Sequence, residues 1–493
     1  MKSGALAGVA AALLLSTALA RADVEISAKA TSNMSCEAGV CTATAQKAVL
    51  NVSDLATMLA SGDVAVKTGL IAKDIDIDQA LSWSNTSRLT LDAQASVTVK
   101  KQITVAGQGA LTIVTNDSGG AKGKTKTGEF IIVPERGSVQ FWDLGSSLTI
   151  DGSSYTLVGD IRTLAADIAA NPSGFYALAK PYDASVDGVY SSSPVAASVT
   201  GIIQGLGNAI LNLTIEFSSN QNLTIIGLIQ QVETTGAIHS LGIVHADIRG
   251  VSSTGNYGPT GLLVGDNDGA IDHCWSRGAI AFPGGDGIIA GGIAGANRGT
   301  ISSSFTHINT LLTGGIADAG GLVGFNLGKI IDTYSYGIIR IRSTAETNVG
   351  GLVAYNSGSV ANSFSITSLK GGRSNQVVNA DGVIGLNDTN GAVTSSYAAG
   401  SLILKAGDNS TNIGGFVGDD QSSGRLSASY WDLDKGVSDP KRGAGNRKND
   451  PGVTGLTTEQ LHSALPDGFN PKIWKQDMNK NQGLPYLAAL PVK

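Results

Sequence analysis

Residues 320–335 read Gly320-Gly321-Leu322-Val323-Gly324-Phe325-Asn326-Leu327-Gly328-Lys329-Ile330-Ile331-Asp332-Thr333-Tyr334-Ser335. The same pattern occurs six times between Gly261 and Trp431. When the copies are aligned on Gly324, successive copies are separated by 30, 29, 30, 31 and 33 residues. A fixed period near 30 residues indicates a solenoid, in which each unit buries its apolar side only against its neighbours.

The copies share a Gly-x-Asn-x-Gly core, an aliphatic position and an aromatic position four residues after it. The core positions are Gly265, Asn267 and Gly269; Gly295, Asn297 and Gly299; Gly324, Asn326 and Gly328; Ala354, Asn356 and Gly358; Gly385, Asn387 and Gly391; and Gly418, Asp420 and Gly424. The aromatic positions are Trp275, Phe305, Tyr334, Phe364, Tyr397 and Tyr430. Stacked copies would place identical residues above one another, which predicts an asparagine ladder and an aromatic ladder in the interior or on a flank. The two flanking glycines predict a positive φ at the asparagine turn.

Each copy reads as β-structure, because its apolar runs are short and are separated by Gly, Asn and Ser. We predict three strands per copy, at Gly321–Phe325, Ile330–Tyr336 and Ile338–Arg342. Three strands and three turns in about 30 residues are typical of one rung of a parallel β-helix. Because a small residue precedes each aromatic, the pattern fits a strand with a bend or a bulge near its end.

The chain resembles the GLUG-motif family, named for its Gly-Leu-any-Gly signature, which is found in bacterial haemagglutinin-like surface and secreted proteins. The resemblance rests on the six copies and on weaker matches at Ile226–Leu241, Val199–Ile215 and Gly174–Ala184. It spans residues 85–432 and the tail. It implies an all-β solenoid, a right-handed parallel β-helix with short helices and terminal caps, exposed outside the cell. Adhesion is the role it suggests, and it brings no catalytic residue.

The composition agrees with an exported repeat protein. The 493 residues are 42% hydrophobic and carry a net charge of −6. The hydrophobic content is too high for a disordered chain, and the charge gives no basic footprint for a nucleic-acid partner.

Residues 1–22 are predicted to be a signal peptide, with Lys2, an apolar run from Ala5 to Leu19, and a cleavage site after Ala22 or Ala20. We expect the protein to be secreted or on the cell surface, while an outer-membrane-associated or periplasmic location is also compatible. No other run reaches the length of a membrane helix. We divide the remainder into an N-terminal cap (23–84), early haemagglutinin-like rungs with a helix near 160–170 (85–215), the GLUG repeats (216–432), a charged loop (433–456) and a C-terminal cap (457–493).

Local signals place elements inside these segments. Ser53 and Gly62 are expected to bound a short helix, Asp160 to N-cap another, and Thr457 to form a capping box with Gln460. Seven strands are expected at Leu89–Leu91, Val97–Val99, Ile103–Val105, Leu111–Ile113, Phe130–Val133, Val139–Phe141 and Leu148–Ile150. The lysines Lys122, Lys124 and Lys126 and the stretch Lys435–Pro451 read as solvated loops, with anion binding as the alternative.

Two of the three cysteines, Cys36 and Cys41, are close enough to form a disulfide in an oxidising compartment. A metal or redox pair is the alternative. Cys274 occupies a position that is Ser or Thr in the other copies, so we interpret it as a structural residue.

The strongest candidate for chemistry is the cluster Asp266, Asp268, Asp272 and His273. Two carboxylates at a suitable separation hydrolyse glycosides, and Asp-Asn-Asp-Gly faintly resembles a calcium loop. Asp266 and Asp268, however, flank the asparagine of an ordinary repeat turn. Alternation of acidic residues at Asp74, Asp76 and Asp78 reads as one polar strand face.

No metal-binding spacing links the five histidines, His239, His245, His273, His307 and His462. We therefore expect no catalytic residue, cofactor or metal. The function predicted is a non-enzymatic, adhesin-like β-helix that binds an extracellular glycan or protein, through the candidate loops Gly278–Asp286 and Leu369–Asn379. The alternatives are a β-helix polysaccharide lyase or glycosidase, and a structural envelope or matrix component.

Overall fold

A computed structural model describes residues 23–117, 128–218, 224–251, 257–343, 347–371, 378–404 and 411–492. Within them the chain is mostly β-strand, in long parallel sheets compatible with a β-helix or solenoid. The predicted signal peptide and Lys122, Lys124 and Lys126 lie outside the described residues. In the described ranges, no helix has both the length and the apolar character needed to span a membrane.

The first stack, residues 23–150, contains three sheets. One consists of Lys47–Asn51, Asp23–Ser27, Asp74–Ile77, Val97–Val99 and Phe130–Ile132. The next consists of Leu81–Trp83, Gln102–Val105 and Ser138–Phe141. The third begins with the hairpin Met34–Glu37 and Val40–Ala43 and continues through Val64–Lys67, Arg88–Asp92, Ala110–Val114 and Ser147–Ile150. All seven strands expected between Leu89 and Ile150 are present.

The second stack, residues 153–456, also has three sheets. Sheet 1 contains Pro259–Gly261, Ile288–Gly291, Ala317–Gly320, Thr347–Gly350, Val378–Asp381 and Thr411–Ile413. Sheet 2 contains Ile229–Val232, Val264–Asn267, Ala294–Asn297, Val323–Asn326, Val353–Asn356, Ile384–Asn387 and Val417–Asp420.

Sheet 3 takes two strands from each repeat and continues into the third sheet of the first stack. Its strands are Ser153–Val158, Phe175–Leu178, Tyr182–Asp183, Val189–Tyr190, Ile202–Gln204, Ala209–Leu211, Thr214–Phe217, Ala237–His239, Gly242–Gly250, Ala270–Asp272, Trp275–Phe282, Thr300–Ser302, Phe305–Gly314, Lys329–Ile331, Tyr334–Ser343, Ser359–Ala361, Phe364–Gly371, Ala392–Ala398, Leu402–Leu404, Leu426–Asp432 and Val453–Leu456.

The prediction of three strands per copy was wrong, because the copy at 317–343 has four. Asp332 interrupts the expected strand Ile330–Tyr336 with a φ of 55°. The same position has a positive φ in all six copies, at His273, Ser303, Asp332, Asn362, Ser395 and Ala428. The asparagine column lacks it, so the positive φ lies six residues after its predicted position in four copies and eight residues after it in the last two. The bend therefore lies two residues before the aromatic column.

The asparagine column forms a continuous, buried ladder on sheet 2. Each side chain donates its Nδ2–H to Oδ1 of the next copy, at 2.7 Å from Asn267 to Asn297, 2.7 Å to Asn326, 2.8 Å to Asn356 and 2.7 Å to Asn387. The last donor, Asn387, reaches Asp420 Oδ1 at 2.8 Å. Arg447, from the charged loop, pairs with that carboxylate. The ladder is therefore directional and ends on a neutralised acid.

A second ladder, which the sequence reading did not identify, lies on sheet 1 and runs the opposite way. Asn412 donates to Asn379 at 3.0 Å, Asn379 to Asn348 at 2.8 Å, and Asn348 to Asp318 at 2.7 Å. Each ladder ends on a carboxylate, since an acid can accept a hydrogen bond without having to donate one onward.

The two stacks meet at a hairpin in which the strand direction reverses. Ser147–Ile150 pairs antiparallel with Ser153–Val158 across Asp151 and Gly152, whose φ angles are 47° and 81°. Two successive positive φ values favour Asp-Gly and give a turn whose twist matches the strands. Asn208 joins the stacks again, because its Nδ2 donates to the carbonyls of Val139 and Leu178, both at 2.9 Å.

The helices follow their predicted caps with one correction. Val52–Ser61 is N-capped by Asn51, whose Oδ1 accepts from Ser53 N at 2.8 Å, so Ser53 lies inside the helix. Ile161–Ala170 is capped by Asp160, and Thr458–Ser463 has the expected capping box with Gln460. Short 3-10 helices cover Ala184–Asp187 and Asn481–Gly483.

The predicted N-terminal cap is largely part of the first stack, since Asp23–Ser27 pairs in parallel with both Lys47–Asn51 and Asp74–Ile77. The helix Val52–Ser61 contributes Leu55 and Leu59 to the core of this stack.

The C-terminal segment, residues 457–492, does not close the last rung as predicted. It lies along the outer side of sheet 3 and covers the aromatic column. Phe305, Tyr334, Phe364 and Tyr397 stack with centroid separations of 4.8, 4.9 and 5.0 Å. Tyr397 donates its hydroxyl to Pro485 O at 2.7 Å and Tyr334 donates to Pro491 O at 2.8 Å. The antiparallel pair Trp474–Lys475 and Tyr486–Leu487 stiffens this segment.

The end of sheet 2 is instead covered by the charged loop. Gly443 O accepts the backbone N–H groups of Phe416 and Val417, both at 3.0 Å, and Gly445 N donates to Val417 O at 3.0 Å.

We expect Asn326→Ala to destabilise the protein by about 3 kcal/mol, because it removes two buried hydrogen bonds and leaves a donor of Asn297 and an acceptor of Asn356 without that partner. Urea denaturation measures the loss. The control is Asn390→Ala, since Asn390 is exposed. Equal effects of the two substitutions would contradict a stabilising ladder.

Asp381 gives a prediction of pH dependence. Its side chain is fully buried in register with Gly350, and its Oδ2 has no hydrogen-bond partner among the described residues. Burial raises the pKa of this carboxyl well above its ordinary value, although backbone N–H groups of Val383 and Gly382 oppose the shift. The folded state therefore holds the proton more tightly than the unfolded state. The resulting stability is complete below about pH 4 and is lost as pH rises toward the folded-state pKa.

Asparagine does not ionise, so Asp381→Asn should not lose stability in this way. The free energy of unfolding of the variant minus that of the parent should therefore rise with pH, by at most about 1.4 kcal/mol per pH unit. Thermal unfolding from pH 4 to pH 8 measures the difference. Asp467→Asn, at an exposed carboxyl, is the control. A pH-independent difference between Asp381→Asn and the parent would show that Asp381 is not protonated in the fold.

Candidate functional site

A groove of about 630 Å³ lies where the two stacks meet. The first stack lines it with Thr115, Asn116 and Phe130, among others, the connecting turn lines it with Asp151, and the second stack lines it with an outward face of sheet 3. We call it the junction groove. It exists because the hairpin at Asp151 and Gly152 brings the two stacks side by side.

Four polar side chains form the sheet 3 wall: Gln204, His239, Asp272 and Ser302. They occupy one column, paired in register from strand to strand. Each follows a buried isoleucine, at Ile203, Ile238, Ile271 and Ile301. Because neighbouring side chains point to opposite faces of a strand, the isoleucines enter the core and the polar column faces the groove.

Asp272 is the most strongly bound member of this column. Ser302 Oγ donates to its Oδ1 at 2.8 Å, His273 Nδ1 lies 2.5 Å from its Oδ2, and His239 Nδ1 lies 4.0 Å from the same oxygen. Burial acts to raise the pKa of Asp272, but these contacts outweigh it and hold the pKa below its ordinary value. Burial lowers the pKa of His239 despite the nearby carboxylate. At neutral pH the pair is therefore an ionised Asp272 beside a neutral His239.

This arrangement is not that of a nucleophilic triad. A triad needs a hydroxyl bonded to the imidazole that removes its proton, whereas Ser302 donates directly to the carboxylate.

Aromatic side chains line the same groove beside the polar column, and Tyr155 and Phe175 lie on the first two strands of sheet 3. Tyr155 and Phe175 meet edge to face with their centroids 5.4 Å apart, and Phe130 lines the groove beside them. Burial and the charge of Asp151 raise the pKa of Tyr155 to about 12, so its hydroxyl stays protonated. Asp151 is itself fixed, since Thr115 donates its N–H at 2.7 Å and its hydroxyl at 2.9 Å to the carboxylate.

The structure splits the predicted acidic cluster into two pairs, and Asp272 stays in contact with His273. Asp266 and Asp268 turn away from Asp272 and pair with Arg298, whose Nη1 lies 2.5 Å and 3.5 Å from their carboxylates. Likewise Lys100 bridges Asp76 at 2.8 Å and Asp78 at 3.0 Å, while Asp74 accepts the N–H of Ser96. Among the described residues, no three His, Cys, Asp or Glu side chains are grouped to hold a metal ion.

The described parts of the two predicted binding loops are mainly strand. Gly278–Phe282 continues the strand that starts at Trp275, and Leu369–Gly371 ends the strand that starts at Phe364. Residues 372–377 are outside the described ranges, and Val378–Asn379 begins a strand of sheet 1. The junction groove was missed, although its column of Gln, His, Asp and Ser directly follows the aliphatic column in the repeat alignment.

The disulfide prediction is confirmed. Cys36 and Cys41 are directly opposite each other in the hairpin Met34–Glu37 and Val40–Ala43, and they are bonded. Cys274 is free and fully buried, with its Sγ 3.3 Å from the carbonyl of Asp272.

No family model and no curated protein matches the chain. One solved structure similar to it is that of a putative immunoglobulin A1 protease from Bacteroides ovatus. The two chains are 18% identical with a TM-score of 0.41, and the match covers 69% of this chain and 93% of that chain. A similarity of this degree carries no information on what this chain binds or does.

We expect Cys274 to be unreactive in the folded protein, because burial raises the pKa of its thiol to about 12 and hides the sulfur. Without reductant, an aromatic disulfide reagent should react with no thiol in the native chain and with one thiol per chain in concentrated guanidinium. Since Cys36 and Cys41 are paired, rapid labelling of the native chain would contradict the burial of Cys274.

Proposed function

We propose that this chain is a secreted or cell-surface, right-handed parallel β-helix that binds extracellular glycans without enzymatic activity, in the manner of an adhesin. The in-register parallel pairing of copies about 30 residues apart supports the β-helix. The resemblance to GLUG-motif proteins supports the handedness, the location and the adhesive role.

The observation that carries the binding role is the combination of aromatic and polar side chains in the junction groove. Sugar rings present apolar C–H faces and many hydroxyl groups. The rings of Tyr155 and Phe175 offer apolar surface, while Asp272 and Asp151 offer charged acceptors for hydroxyl donors. A concave site with a few fixed polar groups on apolar walls is the usual form of a small-ligand site. The described charged lining residues are Glu129, Asp151 and Asp272, with His239 neutral, which favours a neutral glycan.

A glycan array probed with the full chain tests this proposal, and Asp272→Asn is the variant. We expect saturable binding to neutral glycans, weakened at least about tenfold in the variant, because a charged hydrogen bond contributes roughly 1.5–3 kcal/mol. The matched control is Asp266→Asn, a carboxylate of the same repeat that pairs with Arg298 outside the groove. Equal loss of glycan affinity in both variants, or no binding to any glycan on the array, would contradict the junction groove as the binding site.

One observation favours an enzyme as the second candidate: ionised Asp272 and neutral His239 lie together on the groove wall. Such a pair is suited to proton transfer in the cleavage of a polysaccharide. Shortening of a polymer in a panel of polysaccharide digests, abolished by Asp272→Asn, would establish that activity instead. A chain inert in both assays would be a structural component of the envelope or matrix.

A further inference from the structure

Away from the junction groove, three exposed cations of sheet 3 and one of the charged loop form a cluster that we call the basic face: Arg340, Arg342, Lys370 and Lys435. On the strands Tyr334–Ser343 and Phe364–Gly371, buried residues such as Ile339, Ile341 and Leu369 alternate with outward ones. Arg340 is paired in register with Lys370 on the next strand. Arg342 follows Arg340 by two residues and so lies on the same side.

The cations of the basic face have no carboxylate partner within the described part of the chain. Three other arginines of the second stack are paired with carboxylates: Arg249 with Asp247, Arg277 with Glu135, and Arg298 with Asp266. Because these cations lack carboxylate partners among the described residues, the electrostatic potential around them is positive, although the net charge of the protein is −6. Such a reversal attracts anions to one place on the surface.

A groove of about 450 Å³ adjoins these cations. Asn309, Ile338 and Ser368 line it, and Arg340 and Lys370 stand two residues further along the same strands. Lys435 reaches the groove from the charged loop. The rings of His307 and Tyr336, 5.3 Å apart, form its floor. The described lining includes no acidic residue. The groove therefore combines aromatic surface, hydroxyl and amide groups, and positive charge.

We propose that the basic face and its groove bind an acidic polysaccharide, with one sugar ring in the groove and neighbouring carboxylates or sulfates on Arg340, Lys370 and Arg342. The cations are held on a rigid sheet, about 4.8 Å apart between strands and about 7 Å apart along a strand. A polymer with one charge per sugar ring can place successive charges on such an array.

The geometry disfavours nucleic acid as the occupant. Duplex DNA carries a charge every ~1.7 Å, so most of its phosphates would extend beyond a four-cation face on a protein whose net charge is −6. The inference adds a second, anion-selective site to the proposed function and depends on that function only for the ligand being a glycan.

Calorimetric titration of the full chain with polygalacturonate tests the inference, with dextran as the neutral polymer and single-stranded DNA as the phosphate polymer. We expect polygalacturonate to bind and dextran not to compete, and the affinity to fall as NaCl is raised from 20 to 300 mM, because salt screens exposed charges. The double variant Arg340→Gln/Lys370→Gln should lose roughly tenfold or more in affinity.

The matched control is Lys441→Gln/Arg442→Gln, which removes one lysine and one arginine from the exposed charged loop. It should leave polygalacturonate affinity within twofold of the parent. Equal losses in the two double variants, no binding of polygalacturonate, or DNA binding as tight as polygalacturonate binding would each overturn the inference. The two proposals can fail separately, because Asp272 lies in the junction groove and not on the basic face. If the chain binds neutral glycans but does not bind polygalacturonate, this inference alone is overturned and the proposed function stands.

Discussion

The structure depends on the pairing of each repeat with the same residues of the next, and the buried asparagine ladder enforces that pairing. An amide in the core needs both a donor and an acceptor. On sheet 2 the partner of Asn326 is the identical amide one strand away, on Asn297 or Asn356. A shift of register by one residue would place apolar side chains opposite the amides. Several buried donors and acceptors would then lose their hydrogen-bond partners at once. Hydrophobic burial stabilises the stack, but the ladder selects its register.

Most of the repeat architecture could be predicted, because stacking converts a sequence column directly into a spatial column. The period of about 30 residues, the strands from Leu89 to Ile150 and the caps at Asp160 and Thr457 all rest on local patterns. The positive φ was misplaced because the glycines suggest it at the asparagine turn, whereas the copies put it in a column of mixed residue types: His273, Ser303, Asp332, Asn362, Ser395 and Ala428. The ladder through Asn348 was missed since its column begins with Asp318 and lies on a second sheet.

The candidate grooves could not be predicted, because they depend on which surfaces the chain brings together. Asp151-Gly152 is a hairpin signal, and recognising it would have shown that the strand direction reverses there. It would not have shown that Thr115 and Phe130 of the first stack then lie across the groove from the sheet 3 column containing Asp272, as this depends on how the two stacks pack. Similarly, the sequence cannot tell that Arg340 and Lys370 lack a carboxylate partner among the residues that the structure describes.

The C-terminal segment sets the order in which the molecule can be completed. In a simple solenoid, each unit is finished once the next one stacks on it. Here the carbonyl of Pro491 accepts a hydrogen bond from the hydroxyl of Tyr334, which lies 157 residues earlier in the chain. The carbonyl of Pro485 likewise accepts one from the hydroxyl of Tyr397. As the chain emerges from the ribosome or an export channel, the stacked rings stay uncovered until residues 457–492 arrive. The repeats are therefore vulnerable to aggregation and proteolysis during that interval, and a chaperone that shields aromatic surface would act on this side of sheet 3.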